Sequence, residues 1–168
     1  MKETCQEQEG VYKGTPEEAQ EAGLCETTQS LKHIMSPGVK VVAPETGVQE
    51  AAAFMKILDV GSIPVSDGHR LIGMITDRDI TVRIVAEKRD PATAIVREAM
   101  TESPAFCFDD QTVQEATGVM EHLQIRRLPI LNRDNKLVGI VSLADLAVRS
   151  SLPAAAKVLQ GVSELARA

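Results

Sequence analysis

Aromatic side chains are scarce in this sequence. Phe, Tyr and Trp together make up 2% of its 168 residues, and Trp is absent. Proteins that bind single-stranded nucleic acid stack the bases on aromatic side chains, so the composition argues against that function. Hydrophobic residues still make up 43% of the chain. We therefore expect a core of Ala, Val, Ile, Leu and Met, in one domain or in two small halves that share one core.

Long apolar runs and a regular cysteine pattern are also missing. No apolar stretch reaches the roughly 20 residues that span a bilayer, and the chain opens on polar residues without the apolar segment of a signal peptide. Its three cysteines, Cys5, Cys25 and Cys107, are odd in number and far apart, which argues against a disulfide framework. We therefore predict a cytoplasmic protein.

Positive charge is outnumbered, and most of the imbalance lies at one end. The net charge is −6, and the first thirty residues contain seven Glu against Lys2 and Lys13. That gives −5 in this segment and leaves −1 for the rest. An acidic tail on a near-neutral body does not favour binding to nucleic acid or to an anionic membrane. We predict that residues 1–29 form this acidic, polar tail, disordered or loosely docked.

A repeat organises the rest of the chain. The segment GMITDRDI at 73–80 recurs as GIVSLADL at 139–146. Both have the pattern Gly-x-x-Thr/Ser-x-x-Asp, in which a glycine lets another backbone or a flat ligand come close. Three further pairs follow the same order: LKHIM at 31–35 with VREAM at 96–100, VQEA at 48–51 with VQEA at 113–116, and IPV at 63–65 with LPI at 128–130.

This order of motifs resembles the CBS domain (cystathionine β-synthase domain), here as a tandem pair, or Bateman module, from about Leu31 to about Arg149. The resemblance implies an α/β (α+β) fold of two pseudo-symmetric β-α-β-β-α repeats packed through their sheets, and assembly into a flat homodimer. We predict repeat 1 at residues 30–90, repeat 2 at 91–150 and a C-terminal helix within 151–168.

Periodicity and turn signals predict the elements within each repeat. Helices are expected at 30–35, 48–58, 80–88, 113–123, 143–150 and 154–165, and strands at 39–43, 62–65, 71–75, 105–108, 128–131 and 137–141. Gly47 stands where the second repeat has Thr112, so the first long helix should have the weaker cap, unless Thr46 substitutes.

The pairs Thr76 with Asp79 and Ser142 with Asp145 have two interpretations. As structure, they match the capping box that begins a helix. As chemistry, a carboxylate accepts hydrogen bonds from both hydroxyls of a ribose, and a hydroxyl beside free helix amides suits a phosphate. The resemblance implies that these positions bind the ribose and phosphate of adenosine ligands. The two roles are compatible.

The apolar-Pro-apolar strands are the second candidate feature. As structure, proline marks a strand position that needs no donor. The resemblance implies an apolar slot for adenine. Its walls would be Ile63, Pro64, Leu128 and Pro129 on one side, and residues 41–43 and 105–107, including Val41 and Phe106, on the other.

Arg126 and Arg127 precede the second of these strands. Surface charge of this kind is usually only solvated, but Arg also suits bidentate contact with phosphate. The first repeat has Gly61 and Ser62 there and no cation, which predicts unequal sites. Arg78 is a further phosphate-binding candidate.

Residues with the spacing of a catalytic or metal site are not evident. His33, His69, His122 and the cysteines show no Cys-x-x-Cys or His-x-x-x-His pattern. No serine lies in a Gly-x-Ser-x-Gly turn. We therefore predict that the protein is not an enzyme and holds no metal.

Together these features predict a regulatory module that binds an adenine nucleotide between its two repeats and signals to an unknown protein partner or to its homodimer. The ligand would be AMP, ADP or ATP, or else S-adenosylmethionine or NAD. The alternatives are a ligand-free structural or interaction protein of the same fold, and a metal- or redox-responsive protein.

Overall fold

A computed structural model describes residues 29–149 and Ala156. The predicted acidic tail therefore lies outside the described residues, except for Gln29. So does the helix predicted over 154–165, except for Ala156, which is helical.

The described chain runs through two similar sets of strands and helices. The strands are β1 Ser36–Pro37, β2 Ser62–Ser66, β3 Leu71–Thr76, β4 Thr101–Glu102, β5 Cys107–Phe108, β6 Arg127–Leu131 and β7 Leu137–Ser142. The helices are α1 Val48–Leu58, α2 Asp77–Ile80, α3 Val113–Leu123 and α4 Leu143–Arg149. A π-helical turn, Thr81–Val85, continues α2, and 3₁₀ turns occupy Leu31–His33 and Val96–Glu98.

Four predicted elements differ from the structure. In place of the helix predicted over 80–88, the α-helix is confined to Asp77–Ile80 and continues as the π-helical turn Thr81–Val85. The helix predicted over 30–35 is a single 3₁₀ turn, and the strand predicted over 105–108 is reduced to β5. The strand predicted over 39–43 is absent: only Val42 pairs, as a parallel bridge to Val65. Its N–H donates to Pro64 O at 3.1 Å, and its carbonyl accepts from Ser66 N at 3.0 Å. Residues 39 and 40 instead line a cleft described below.

The two repeats exchange their lead-in segments. Strand β1, in the lead-in of the first repeat (residues 31–37), pairs antiparallel with β7 of the second, and β4, in the lead-in of the second repeat (residues 96–102), pairs antiparallel with β3 of the first. One sheet therefore has the strand order β1-β7-β6-β5, and the other has the order β2-β3-β4. We call β1 and β4 the crossing strands.

The repeated glycines make room for these crossings. A Cβ at Gly73 would lie 2.7 Å from Met100 Sδ and 3.1 Å from Thr101 O. A Cβ at Gly139 would lie 2.7 Å from Met35 Sδ. The close approach predicted for this position is confirmed, and what approaches is the lead-in of the other repeat.

The hydrophobic core follows the same exchange. Leu31 and Ile34 pack into the cluster of the second repeat, while Ala94, Val96 and residues 99–100 pack into the cluster of the first. No aromatic side chain is buried in the described chain, so aliphatic residues and Met do fill the interior as expected. None of the helices in this part of the chain has the length and apolar character needed to cross a membrane.

Candidate functional site

Two open clefts lie where the repeats meet, each with a volume of about 740 Å³. The first, which we call the Asp79 cleft, contains Thr76, Arg78 and Asp79 and is closed by residues 103–105 and Pro129 of the second repeat. The other, the Asp145 cleft, contains Ser142 and Asp145 and is closed by residues 36–40 and Ile63 of the first repeat. The two clefts are thus related by the internal repeat.

A complete capping box stands in the Asp79 cleft. Asp79 Oδ2 accepts from Thr76 N at 3.0 Å and from Thr76 Oγ1 at 2.7 Å, and Thr76 Oγ1 accepts from Asp79 N at 3.0 Å. In the Asp145 cleft the same three bonds join Ser142 and Asp145, at 2.8, 2.6 and 3.2 Å. The capping interpretation is therefore confirmed, and it occupies only one oxygen of each carboxylate.

The other oxygen, Oδ1, faces an arginine in both clefts. Asp79 Oδ1 lies 3.6 Å from Arg83, and the Asp79 side chain is 16% exposed. Asp145 Oδ1 lies 3.7 Å from Arg149, and the Asp145 side chain is 12% exposed. Asp145 Oδ1 also accepts a hydrogen bond from Ser36 Oγ at 3.0 Å. Each carboxylate is thus held in place but keeps acceptor capacity.

Arg83 and Arg149 are site-supporting residues that the sequence analysis missed. Arg83 Nη1 donates to Ala99 O at 2.7 Å and to Met100 O at 2.6 Å. Arg149 Nη1 donates to Ile34 O and to Met35 O, both at 3.2 Å. Each arginine therefore ties the aspartate of one repeat to the lead-in of the other. Their sequence signals are the shift of 66 that also relates Asp79 to Asp145 and the i,i+4 spacing of each arginine from its aspartate.

The helix amides of the Asp79 cleft are already paired. Asp77 N donates to Gly61 O at 3.1 Å, Arg78 N to Asp77 Oδ1 at 2.7 Å, and Asp79 N to Thr76 Oγ1 at 3.0 Å. The expectation that free amides would hold a phosphate here is therefore not met. A phosphate in this cleft would need side-chain donors.

Arg126 and Arg127 are positioned to supply such donors to both clefts, since each lines both cavities. Neither forms an ion pair with another residue of the described chain. A Cβ at Gly61 would lie 2.9 Å from Asp77 Oδ2 and 3.4 Å from Arg127 Nη2, so a carboxylate stands beside this cation. We call Arg126 and Arg127 the shared arginines. Because both arginines line both cavities, they do not produce the difference in positive charge between the two sites that the sequence predicted.

A family model for the CBS domain matches residues 31–86 and 96–152 of this chain. The chain belongs to the CBS domain family. It is 44% identical over 119 residues to the CBS domain-containing protein YhcV of Bacillus subtilis, which covers 71% of this chain and 84% of that protein. The family assignment confirms the resemblance noted from the repeated motifs.

Two further similarities concern relatives that bind ligands. Hypoxic response protein 1 of Mycobacterium tuberculosis is 38% identical, over 70% of this chain and 82% of that protein. A crystal structure of Hypoxic Response Protein I with two coordinated zinc ions matches with a TM-score of 0.65 and 37% identity, covering 71% of this chain and 97% of that one. The crystal structure of CBSX2 in complex with AMP matches with a TM-score of 0.61 and 25% identity, covering 70% and 93%.

Some of the predicted site residues line the two clefts and others do not. Those that line a cleft are Thr76, Arg78, Asp79, Arg127, Pro129, Ile63, Ser142 and Asp145. Each aspartate shares its cleft with the proline-containing strand of the other repeat: Pro129 lines the Asp79 cleft, and Ile63 lines the Asp145 cleft. The apolar wall of each cleft therefore comes mainly from the opposite repeat.

Four predicted base contacts lie elsewhere. Leu128 is 0% exposed in the core, and the buried Pro64 lines neither cleft. Val41 borders a separate cavity of about 480 Å³ beside the turn 66–70. Phe106 packs edge-on against Phe108, with 5.6 Å between ring centroids. Ala105 rather than Phe106 lines the Asp79 cleft, since neighbouring side chains of an extended segment point to opposite sides.

No metal site is evident in the part of the chain that the structure describes, where no three His, Cys, Asp or Glu side chains are grouped to hold an ion. Cys5 and Cys25 lie outside this part. Burial, reinforced by the negative charge of Glu115, raises the pKa of the Cys107 thiol to about 11, so this side chain is a poor thiolate ligand at neutral pH.

Proposed function

We propose that this CBS pair is a non-catalytic regulatory module that binds adenine nucleotides in its clefts and passes their occupancy to a partner protein or to a second copy of the chain. The observation that carries the proposal is the repeated carboxylate. In each cleft a capping box fixes one oxygen of an aspartate and leaves the other outside the box.

The clefts offer complementary groups for each part of a nucleotide. A carboxylate oxygen with spare lone pairs accepts from the hydroxyls of a ribose, and guanidinium groups bind phosphate oxygens. Apolar residues, including Ala105 and Pro129 in one cleft and Val39 and Ile63 in the other, provide a surface for the base. Each volume of about 740 Å³ is in the range of roughly 300–1,000 Å³ that is typical of small-molecule sites. The AMP complex of CBSX2, a CBS protein of similar fold, supports this ligand class.

The bonds made by Arg83 and Arg149 provide a route for the signal. Each arginine contacts a ribose-site aspartate on one side and the carbonyls of a lead-in on the other. A ligand that hydrogen-bonds the aspartate weakens the attraction between the aspartate and the arginine. The arginine then shifts, and the lead-in to which it is bonded shifts with it. A shift of this kind requires that the ligand bind one arrangement of the two repeats more tightly than the other.

A homodimer is part of the proposal. Several apolar side chains on the helical surface remain exposed, among them Ile57 at 77% and Val148 at 82%. Val82 and Val85 on the π-helical turn are 48% and 56% exposed. A second copy that packs helices against these residues would remove apolar surface from water, which favours association. We place the module in the cytoplasm, where adenine nucleotides are abundant.

Thermal unfolding of nucleotide-free protein tests the ligand class. The panel contains AMP, ADP, ATP, S-adenosylmethionine and NAD, with guanosine and cytidine nucleotides as controls. A ligand at 100 times its dissociation constant stabilises the folded state by about 2.7 kcal/mol, which raises the midpoint measurably. The double variant Asp79→Asn/Asp145→Asn should lose this response. Asp134→Asn, in the exposed turn before β7, should retain it.

The opposite outcome is equally clear. If folded, nucleotide-free protein shows no midpoint shift with any adenosine compound, the ligand-binding proposal is wrong. The completed capping boxes would then be sufficient to explain Thr76, Asp79, Ser142 and Asp145, and a structural or interaction role would remain.

A further inference from the structure

The two aspartates of the clefts do not have the same hydrogen-bonding capacity left. A carboxylate has two oxygens with about four lone-pair positions. Asp79 uses two of them on Thr76, and Arg83 at 3.6 Å is beyond hydrogen-bonding distance. Asp145 uses two on Ser142 and a third on the hydroxyl of Ser36. Asp79 therefore keeps two acceptor positions, and Asp145 keeps one.

The difference arises at equivalent points of the crossing strands. Ser36 in β1 and Thr101 in β4 occupy matching positions, since each opens its strand and follows the methionine that packs on the repeated glycine. The Thr101 hydroxyl accepts from Arg83 Nη2 at 3.3 Å and makes no bond to Asp79. The Ser36 hydroxyl is bonded to Asp145 instead, and Arg149 bonds only backbone carbonyls on that lead-in.

We propose that Ser36 is a specificity-determining residue that makes the Asp145 cleft the weaker site for ligands with a vicinal diol. This inference rests on the proposed function, in which a ribose donates both hydroxyls to the cleft aspartate. Asp79 can accept both hydroxyls without losing a bond. Asp145 can accept both only after Ser36 releases Oδ1, and the lost bond reduces the affinity. Because Ser36 belongs to β1, filling this cleft also breaks a side-chain bond between β1 and Asp145, whereas Thr101 of β4 has no bond to Asp79 that a ligand would break.

Single-cleft variants of the full chain isolate the effect. In Asp79→Ala, AMP binding measured by isothermal titration calorimetry reports the Asp145 cleft. Adding Ser36→Ala should lower the dissociation constant for AMP about tenfold, since one hydrogen bond to a charged acceptor no longer competes. The matched control is Ser36→Ala in the Asp145→Ala background. That titration reports the Asp79 cleft, which Ser36 does not line, and its dissociation constant should stay unchanged.

The results separate this inference from the proposed function. If AMP binds and Ser36→Ala leaves the affinity of the Asp145 cleft unchanged or weakens it, Ser36 either does not compete or helps to hold the ligand, and the inference is overturned. If neither the wild type nor any variant binds AMP or another adenosine compound of the panel, although all of them unfold cooperatively, the proposed function fails and the inference fails with it. A double-mutant cycle of Ser36→Ala and Asp145→Ala on the free energy of unfolding checks the bond without ligand, and a coupling of zero would also overturn the inference.

Discussion

Replacing Gly139 by Ala tests how tightly the crossing strand β1 packs on β7. The added Cβ would lie 2.7 Å from Met35 Sδ, 2.9 Å from Met35 Cγ and 3.0 Å from Ser36 O. The methionine side chain can rotate away. The Ser36 carbonyl cannot, because its strand is fixed by the pairing of Ser36 with Ile140 and of Pro37 with Gly139. The backbones must therefore separate.

Overpacking of this kind costs about 1–3 kcal/mol. For a domain of this size a change of 1 kcal/mol moves the unfolding midpoint by about 3 °C, so the midpoint of Gly139→Ala should fall by roughly 3–9 °C. The midpoint of Gly73→Ala should fall slightly less, since the backbone atom nearest to its added Cβ, Thr101 O, would lie 3.1 Å away. Thermal unfolding followed by circular dichroism measures both.

Gly118→Ala is the matched control. Gly118 is exposed in α3, and a Cβ there meets nothing within 4 Å. Ala is better than Gly inside a helix by about 0.8–1 kcal/mol, so this variant should unfold about 3 °C higher than wild type. A Gly139→Ala protein that unfolds at or above the wild-type midpoint, beside a Gly118→Ala protein that behaves as expected, would refute the argument from close approach.

Three other predictions use different features. Gly47→Thr should stabilise the fold by about 0.5 kcal/mol in urea unfolding, because α1 has no side-chain cap whereas Thr112 caps α3, and a Cβ at Gly47 meets nothing within 4 Å; Thr46 does not substitute, since its Oγ1 accepts from Ala43 N instead, and no gain in stability would contradict the capping argument. Arg127→Ala should weaken AMP binding about tenfold in both single-cleft variants, and loss in only one cleft would contradict the sharing. The free energy of unfolding should fall as pH rises from about 9 to about 11, because the Cys107 thiol stays protonated in the fold and ionises in the unfolded chain; a Cys107→Ala variant should lose that component of the slope, and an equal slope in both proteins would contradict it.

Local elements were predictable because their signals are local. Helices α1 and α3 follow apolar residues at helical spacing, and α2 and α4 begin at capping boxes that can be recognised from four residues. The crossing strands were not predictable. Each has two residues, too few for a period, and each pairs with a strand of the other repeat. Only the distant partner makes such a segment a strand.

The candidate site, like the fold, could be predicted from the sequence only in part. The carboxylates and hydroxyls were found because both copies carry them. The apolar walls of the clefts could be predicted only in part: Val41 and Phe106, which were assigned to the base slot, line neither cleft, because the sequence does not show which side of an extended segment faces it. Arg83 and Arg149 were missed because they bind backbone carbonyls, which leave no mark on the sequence of their partners.

The exchange of β1 and β4 has a consequence for how the two repeats depend on each other. In a chain with only one repeat, the lead-in would have no strand to pair with, and the sheet would have an unpaired edge. Two such chains could form these pairings only by exchanging their lead-ins between molecules. Joining the repeats in one chain turns that bimolecular step into an intramolecular one, with an effective concentration on the order of millimolar. Both clefts are then complete within one chain at any dilution, so their assembly does not depend on the amount of protein.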